Sequence, residues 1–264
     1  MEINTLYSLV RDAAGICTDS RTLRKGELFF ALKGPAHDGN RFAAAAVAAG
    51  AVAAVTDDPS LRGEKIIRVS DVLKTMTELA VLHRKTIQVP VIGITGSNGK
   101  TTTKELITAV LSRKGKVHCT AGNLNNHIGV PLTILRTPAE AAYLVIEMGA
   151  NHKGEIASLC ETAMPTHGII TNIGIAHLEG FGSFENVIAA KSELYRWLRR
   201  SEGIAIFNEQ NDLLKELIYT IVHKAVPYSD PSGTDLIVNE SLNEGPLLNI
   251  TVDHEGHHLS LIHI

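Results

Sequence analysis

The sequence predicts an α/β protein: a small N-terminal α/β region over residues 1–86, then a mainly parallel sheet with helices on its faces over residues 87–264, built around a phosphate-binding turn. Three observations predict it. Apolar, strand-like runs alternate with helix-like runs from Val91 to Val222, which is the pattern of a parallel sheet whose crossovers are helices. The buried-strand run Val91-Ile92-Gly93-Ile94-Thr95 passes through Gly96-Ser97-Asn98-Gly99 directly into a helical stretch that opens at Lys100. In the first 86 residues, polar clusters punctuate short apolar runs, and loops at element ends are where binding groups collect.

In chain order, Leu28-Phe29-Phe30-Ala31-Leu32 reads as a strand, Phe42 to Ala49 as an alanine-rich helix ended by Gly50, and Ala51 to Val55 as a second strand. Val72 to Arg84 has amphipathic spacing. The clusters Thr18-Asp19-Ser20-Arg21, Lys25-Gly26-Glu27, Lys33-Gly34-Pro35 and His37-Asp38-Gly39-Asn40 each read as turn chemistry when taken singly. Thr86 to Pro90 is a connector, and the boundary between the two regions falls there. Beyond it, Lys104 to Leu111 is helical and closed by Lys114-Gly115, Lys116 to Cys119 is extended, and Asn123-Leu124-Asn125-Asn126-His127 is a polar loop. Strands at Tyr143 to Glu147, Gly168 to Thr171 and Ile204 to Phe207 alternate with helices at Glu155 to Thr162, Ser183 to Leu198 and Asp212 to Val222. In such a sheet, ligands gather at the carboxyl ends of the strands.

The whole chain narrows the function. At 264 residues with 44% hydrophobic content it can build a substantial core. Lys plus Arg number 25 against 28 Asp plus Glu, a net charge of −3, so no basic surface points to nucleic acid or an anionic membrane as partner. Cys17, Cys119 and Cys160 are widely separated, which argues against a disulfide framework or zinc knuckle and for a reducing compartment. Met1-Glu2-Ile3-Asn4 lacks the basic start and apolar run of a signal peptide. A cytoplasmic monomer is expected.

A strand that ends in glycines and opens a helix aims backbone N–H groups and the positive end of the helix dipole at one point, which suits a phosphate. Gly96, Ser97, Asn98, Gly99, Lys100, Thr101 and Thr102 are therefore the expected nucleotide-binding residues. Lys100 reaches terminal phosphates and the Thr101 hydroxyl ligates the accompanying Mg²⁺. The usual spacing is shifted, because Ile94 stands where a glycine is expected, with Gly93 and Gly96 on either side. The plainer alternative is an ordinary strand-to-helix turn with a surface lysine. Glu147 ends an apolar strand and is a candidate Mg²⁺ ligand or else a solvated acid at a strand end. His177, just past another strand, is a candidate ligand or a structural histidine. Lys191 interrupts an apolar helix face and, on periodicity alone, reads as a snorkelling lysine. His254-Glu255-Gly256-His257-His258 satisfies a zinc-protease string, but that chemistry needs a helix. Alternating residues on both sides of Gly256 predict a hairpin there instead.

Six blocks, in order, resemble the Mur ligases of bacterial peptidoglycan synthesis: Thr18 to Arg21 with Gly26 to Leu32 and Asp38-Gly39; Gly93 to Thr103; Gly122 to Asn126 with Ile128 to Pro131; Glu147 to Ala150 with Gly154 to Ile156; Asn172-Ile173-Gly174 with His177 to Glu179; and Ala190 to Glu193. The Asn-Leu-Asn-Asn and Glu-Met-Gly-Ala blocks favour the member that joins D-alanyl-D-alanine to UDP-N-acetylmuramoyl-tripeptide. The resemblance implies an ATP-dependent ligase that activates a carboxylate as an acyl phosphate, with ATP and Mg²⁺ as cofactors. It implies that Ser20 and Arg21 lie near the UDP-sugar, that Asn125 and Asn126 lie near substrate and nucleotide, and that Thr101, Glu147, His177 and Lys191 hold metal, with Lys191 carbamylated. Lys100, His177 and Lys191 become the expected catalytic residues. Asn40 stands where the family often has histidine.

The family also carries a C-terminal domain that closes over ATP and binds the incoming amine. Its pattern is not found before Ile264, so the expectation is a fragment that binds nucleotide without turnover. The alternatives are another Mur-type or folylpolyglutamate-type ligase, or a non-catalytic nucleotide-binding regulator.

Overall fold

A computed structural model describes residues 2–35, 37–174, 178–228, 237–242, 248–254 and 257–263. The N-terminal region runs α1 (Ile3–Asp12), β1 (Ile16–Cys17), β2 (Leu28–Phe30), a short ribbon of β3 (Lys33–Gly34) and β4 (His37–Asp38), a 3₁₀ turn (Gly39–Phe42), α2 (Ala43–Ala48), β5 (Ala53–Thr56), β6 (Ile66–Arg68) and α3 (Val72–Thr86). Its main sheet is parallel in the order β1-β2-β5-β6. Alternation along the strands sorts the core onto two faces. Leu28, Phe30, Ala53 and Val55 turn toward α1 and α3, whereas Phe29, Ala31 and Ala54 pack with Ala43 and Ala46 of α2.

Next come β7 (Val91–Thr95), α4 (Lys100–Leu111), β8 (Val117–Cys119), α5 (Gly129–Leu135), β9 (Tyr143–Glu147), α6 (Glu155–Ala163), β10 (His167–Ile170), α7 (Leu178–Phe181), α8 (Phe184–Lys191), α9 (Glu193–Arg200), β11 (Ile204–Asn208), α10 (Asp212–Ile221) and β12 (Ala225–Tyr228). The strands form a six-stranded sheet, β12-β11-β10-β7-β9-β8, parallel throughout. The mainly parallel sheet predicted for the second region is therefore present, and the first region is α/β as expected. Ile94 pairs with Glu147, and Thr95 pairs with Ile170, so β9, β7 and β10 end level with one another. α4 covers one face through Ile107 and Leu111 over Ile92, Ile94 and Val145. On the other face, the helix residues Ile134, Ile156 and Leu194 pack with Leu144, Ile146 and Ile170.

α3 packs on α1 and also on α5 and α6, so one hydrophobic cluster runs from Leu6 to Ile218. Two arginines fasten this junction. Arg84 donates to the carbonyls of Ala163 and Met164 at 2.7 and 2.8 Å, and Arg136 reaches back to the Ile16 carbonyl through Nε and a terminal guanidinium nitrogen, at 2.9 and 2.7 Å.

Three segments depart from the sequence reading. The helix expected from Ser183 to Leu198 is two helices separated at Ser192. The Ser192 hydroxyl bonds the Ile188 carbonyl at 2.7 Å, the local competition that loosens a helix at serine. α1 and α5, unassigned from sequence, are both helical. α5 carries Pro131 in its first turn, where proline is tolerated. The hairpin reading of the zinc-like string holds: β13 (Ile237–Leu242), β14 (Leu248–His254) and β15 (His257–His263) form an antiparallel sheet with His254 opposite His257.

Candidate functional site

The turn between β7 and α4 is shaped by two glycines and braced by the end of β10. Gly96 has φ 148°, and a Cβ there would lie 2.0 Å from Thr171 Oγ1, so no side chain fits. Gly99 opens α4 at φ 76°. The Ser97 hydroxyl donates to the Gly174 carbonyl and accepts from its N–H, at 3.0 and 2.9 Å. The Asn98 N–H donates to Asn172 Oδ1 at 3.1 Å, while its carbonyl accepts from Thr171 Oγ1 at 2.6 Å and Asn172 Nδ2 at 3.0 Å. The Ser97 hydroxyl and the Asn98 backbone are thus engaged with the segment after the neighbouring strand. The first intrahelical bond runs from Thr103 to Gly99 at 2.9 Å, which leaves the N–H groups of Lys100, Thr101 and Thr102 without carbonyls of their own helix. These N–H groups form the anion-seeking end of α4.

Lys100 lies over this turn, its Nζ donating to the Gly96 and Ser97 carbonyls at 2.9 and 3.1 Å. Half-burial pulls its pKa down, and the charge of Glu147 opposes that. Glu147 itself is 2% exposed. Its Oε2 accepts from Thr101 Oγ1 at 2.9 Å and its Oε1 from Asn125 Nδ2 at 2.8 Å. Both partners are neutral. A buried carboxylate beside a hydroxyl, with no guanidinium or ammonium bonded to it, is a hard-oxygen donor set that fits Mg²⁺. Among the described residues no three His, Cys, Asp or Glu side chains form a metal cluster, so such an ion would draw on Thr101 and other groups as well.

The two asparagines of the polar loop divide their work. Asn125 faces the carboxylate, while Asn126 Oδ1 accepts from the N–H groups of Ile128 and Gly129 at 3.1 and 2.9 Å and so caps the start of α5. Both line a cleft of about 580 Å³, together with Lys100, His127, Glu155 and Lys191. Lys191 ends α8 and is 3% exposed. Its Nζ sits 5.8 Å from the centroid of the Phe181 ring. Burial, helped by Lys100 and opposed by Glu155 and Glu193, brings its pKa down to about 8.

The structure therefore gathers Gly96 to Thr102, Asn125, Asn126, Glu147 and Lys191 in one place, and shows that Lys191 is buried in the cleft, not a snorkelling surface lysine. His127 and Glu155 join them without having been singled out from sequence, as do Thr171 and Asn172 as braces. Of these, Glu155 and Asn172 carried a signal only as members of the family blocks Gly154 to Ile156 and Asn172 to Gly174. His177 lies outside the described residues.

Ser20 and Arg21 lie elsewhere, in a cleft of about 490 Å³ lined also by Thr18, Asp19, Phe29, His37 and Phe42. The His37 and Phe42 rings stack at 5.6 Å with planes 11° apart. Arg21 bonds Asp19 through Nε at 2.9 Å and a terminal nitrogen at 2.6 Å, and this partner draws the Asp19 carboxyl down to about 2. Asn40 is internal, its amide bridging Thr56 Oγ1 and Asp57 Oδ1.

The Mur ligase middle domain matches residues 94–247, and the Mur ligase family catalytic domain matches residues 12–93. A UDP-N-acetylmuramoyl-tripeptide–D-alanyl-D-alanine ligase of Synechocystis is 46% identical over 204 residues, which is 76% of this chain and 45% of that protein. The Escherichia coli ligase of the same name is 44% identical over 197 residues, 75% of this chain and 43% of its own length. The chain thus spans about half the length of the curated relatives it matches. Among solved structures, MurF from Acinetobacter baumannii superposes with a TM-score of 0.78 at 32% identity, covering 98% of this chain and 60% of that one. MurF from Thermotoga maritima, in complex with ADP, gives 0.77 at 29% identity, covering 96% and 58%.

Proposed function

The chain belongs to the Mur ligase family, and we propose that it carries the nucleotide-binding and carboxylate-activating half of a ligase joining D-alanyl-D-alanine to UDP-N-acetylmuramoyl-tripeptide in the cytoplasm. The observation that supports this best is that the braced glycine turn leads into Thr101, which bonds Glu147 together with Asn125, beside a cleft lined by Lys100, Asn125 and buried Lys191.

The chemistry begins when the terminal carboxylate of the tripeptide attacks the γ-phosphorus of ATP, forming an acyl phosphate and releasing ADP. The amine of D-alanyl-D-alanine then adds to the acyl carbonyl, loses a proton, and phosphate leaves from the tetrahedral intermediate. Such transfers ask a protein chiefly for positioning and charge neutralisation. The N–H groups of Lys100, Thr101 and Thr102 receive phosphate oxygens at the start of α4. Lys100 exchanges the Gly96 and Ser97 carbonyls for the terminal phosphates. Mg²⁺ held by Thr101, Glu147, His177 and a carbamylated Lys191 would supply further neutralisation of the phosphate charge. A lysine whose pKa is drawn down to about 8 has the neutral amine that carbamate formation needs. Asn125 keeps Glu147 directed at Thr101, and Asn126 fixes the loop that carries it. In the N-terminal cleft, Ser20 and Arg21 contact the UDP-sugar, with the stacked His37 and Phe42 as an apolar wall.

We further propose that amide formation draws on the length of the relatives left outside the match, so that this chain binds ATP without completing the reaction. Calorimetric titration with ATP and Mg²⁺ tests the first half of this reading. For the second, ADP and product formation with all three substrates is compared between this chain and one joined to the C-terminal half of a relative. Binding without turnover, and turnover only after joining, is expected. Turnover by this chain at the rate of a full-length relative overturns the second half, and absence of ATP binding overturns the first.

A further inference from the structure

α4 buries one residue completely, and it is a lysine. Lys104 follows Lys100 by about one helical turn and faces the sheet, 1% exposed. Its Nζ donates to the Thr120 carbonyl at 2.8 Å and pairs at 2.8 Å with Glu105, whose side chain is 59% exposed. Placing an ammonium in the interior carries a desolvation cost that an apolar side chain of similar length avoids. Packing alone therefore gives no reason for a lysine here. What the ammonium can do, and a methionine cannot, is hold a particular carbonyl in a particular direction.

That carbonyl belongs to a residue that touches the candidate metal ligand. Thr120 is fully buried and follows the last residue of β8. Its N–H donates to the Val145 carbonyl at 3.0 Å, and its hydroxyl accepts the N–H of Glu147 at 2.9 Å. The threonine side chain thus extends the pairing of β8 with β9 by one step, up to Glu147. Five residues further along the same loop, Asn125 bonds the Glu147 carboxylate. The backbone and the side chain of Glu147 are therefore both held by the 120–125 segment, and the buried ammonium of Lys104 anchors the start of that segment.

We propose that Lys104 and Thr120 are positioning residues that fix the direction of the Glu147 carboxylate and thereby set the affinity for the divalent cation accompanying the nucleotide. The inference rests on the reading of Glu147 as a metal ligand. Neither residue touches substrate; they act through Glu147.

The test uses the full chain and a fluorescent ATP analogue, titrated with Mg²⁺ and, separately, in EDTA, with melting temperature followed alongside. Thr120→Val, which keeps shape and removes the hydroxyl, and Lys104→Met are each expected to raise the Mg²⁺ requirement by about tenfold, the scale of lost outer-shell partners. Metal-free binding should change less than about twofold in the same variants, since their effect passes through the ion. Thr120→Ser, which restores the acceptor, is expected to stay near the wild type. An unchanged Mg²⁺ requirement in Thr120→Val overturns the proposal. So does an equal loss of metal-free and metal-dependent binding, or a Thr120→Ser variant as impaired as Thr120→Val. If Lys104→Met fails to fold, the threonine pair decides the outcome alone. A wild-type chain that binds the analogue with no Mg²⁺ effect overturns the Glu147 reading and this inference with it, whereas a normal wild-type response with unaffected variants overturns this inference only.

Discussion

The Thr101 hydroxyl and the Glu147 carboxylate, 46 residues apart in sequence, meet at 2.9 Å. One lies in the first turn of α4 and the other closes β9. Their meeting is a consequence of strand register: Ile94, two residues before the end of the glycine turn's approach at Gly96, pairs with Glu147 across the sheet.

With Glu147 as ligand, Glu147→Gln removes the anionic oxygen while keeping the volume. Mg²⁺-dependent nucleotide binding is expected to weaken about tenfold or more, and metal-free binding to hold within about twofold, because the turn's N–H groups are untouched. Parallel titrations with Mg²⁺ and EDTA measure both. Equal loss in the two conditions counts against the assignment.

The two glycines of the turn should respond differently to alanine. At Gly96 a Cβ meets Thr171 Oγ1 at 2.0 Å, whereas at Gly99 nothing lies within 4 Å. Gly99→Ala therefore carries only the left-handed backbone cost of about 1 kcal/mol. Gly96→Ala must displace the brace as well and is expected to abolish nucleotide binding with the far-UV circular dichroism retained. Matching affinities in the two variants would contradict this account of the turn.

Carbamylation of Lys191 is expected to give a carbamate carbon resonance when the protein is incubated with ¹³C-bicarbonate, as the neutral amine adds CO₂ and releases a proton. The signal should be absent from Lys191→Arg, whose guanidinium stays charged. A spectrum without the resonance in the wild type argues for an unmodified lysine.

Arg136 holds the Ile16 carbonyl with two nitrogens from across the junction. Because the side chain is partly exposed, Arg136→Ala is expected to cost about 1–2 kcal/mol in urea unfolding. No measurable change would mean the junction is held by the apolar contacts of α3 alone.

Acid should destabilise the fold through half-buried histidines. Burial lowers His83 and His118 below their ordinary 6.5, so the unfolded chain takes up these protons first and stability rises with pH in that range. Their contribution is complete above pH 6.5 and is lost as pH falls through the lowered folded values. Urea midpoints at pH 7.5 and 5.5 should differ, and replacing both residues with Gln should shrink the difference. An undiminished pH effect in the double variant places its origin elsewhere.

The sequence was most legible where local chemistry left few choices. Val91 to Thr95 is apolar and ends in glycines, so strand, turn and helix follow from backbone preference and hydrophobic spacing. Tyr143 to Glu147 is a strand over those same residues. Ser192 was less legible, because its hydroxyl turns inward onto Ile188 and the Glu193 carboxylate caps the start of α6 through the N–H groups of Gly154 and Ala157 at 2.7 and 2.8 Å. The Glu193 bonds are contacts with distant chain and the Ser192 bond is a local side-chain choice, and periodicity encodes neither.

The amino-acid order by itself determined the parallel α/β architecture, the phosphate-type turn and the family blocks, since each depends on residues adjacent in the chain. Tertiary structure alone decided that Lys191 is buried in the cleft beside Lys100, that Asn40 is spent inside the N-terminal region, and that Lys104 and Thr120 stand behind Glu147. The physical reason is that burial and hydrogen-bond partnership are set by which strands lie side by side. That neighbourhood exists only once the sheet has closed its register.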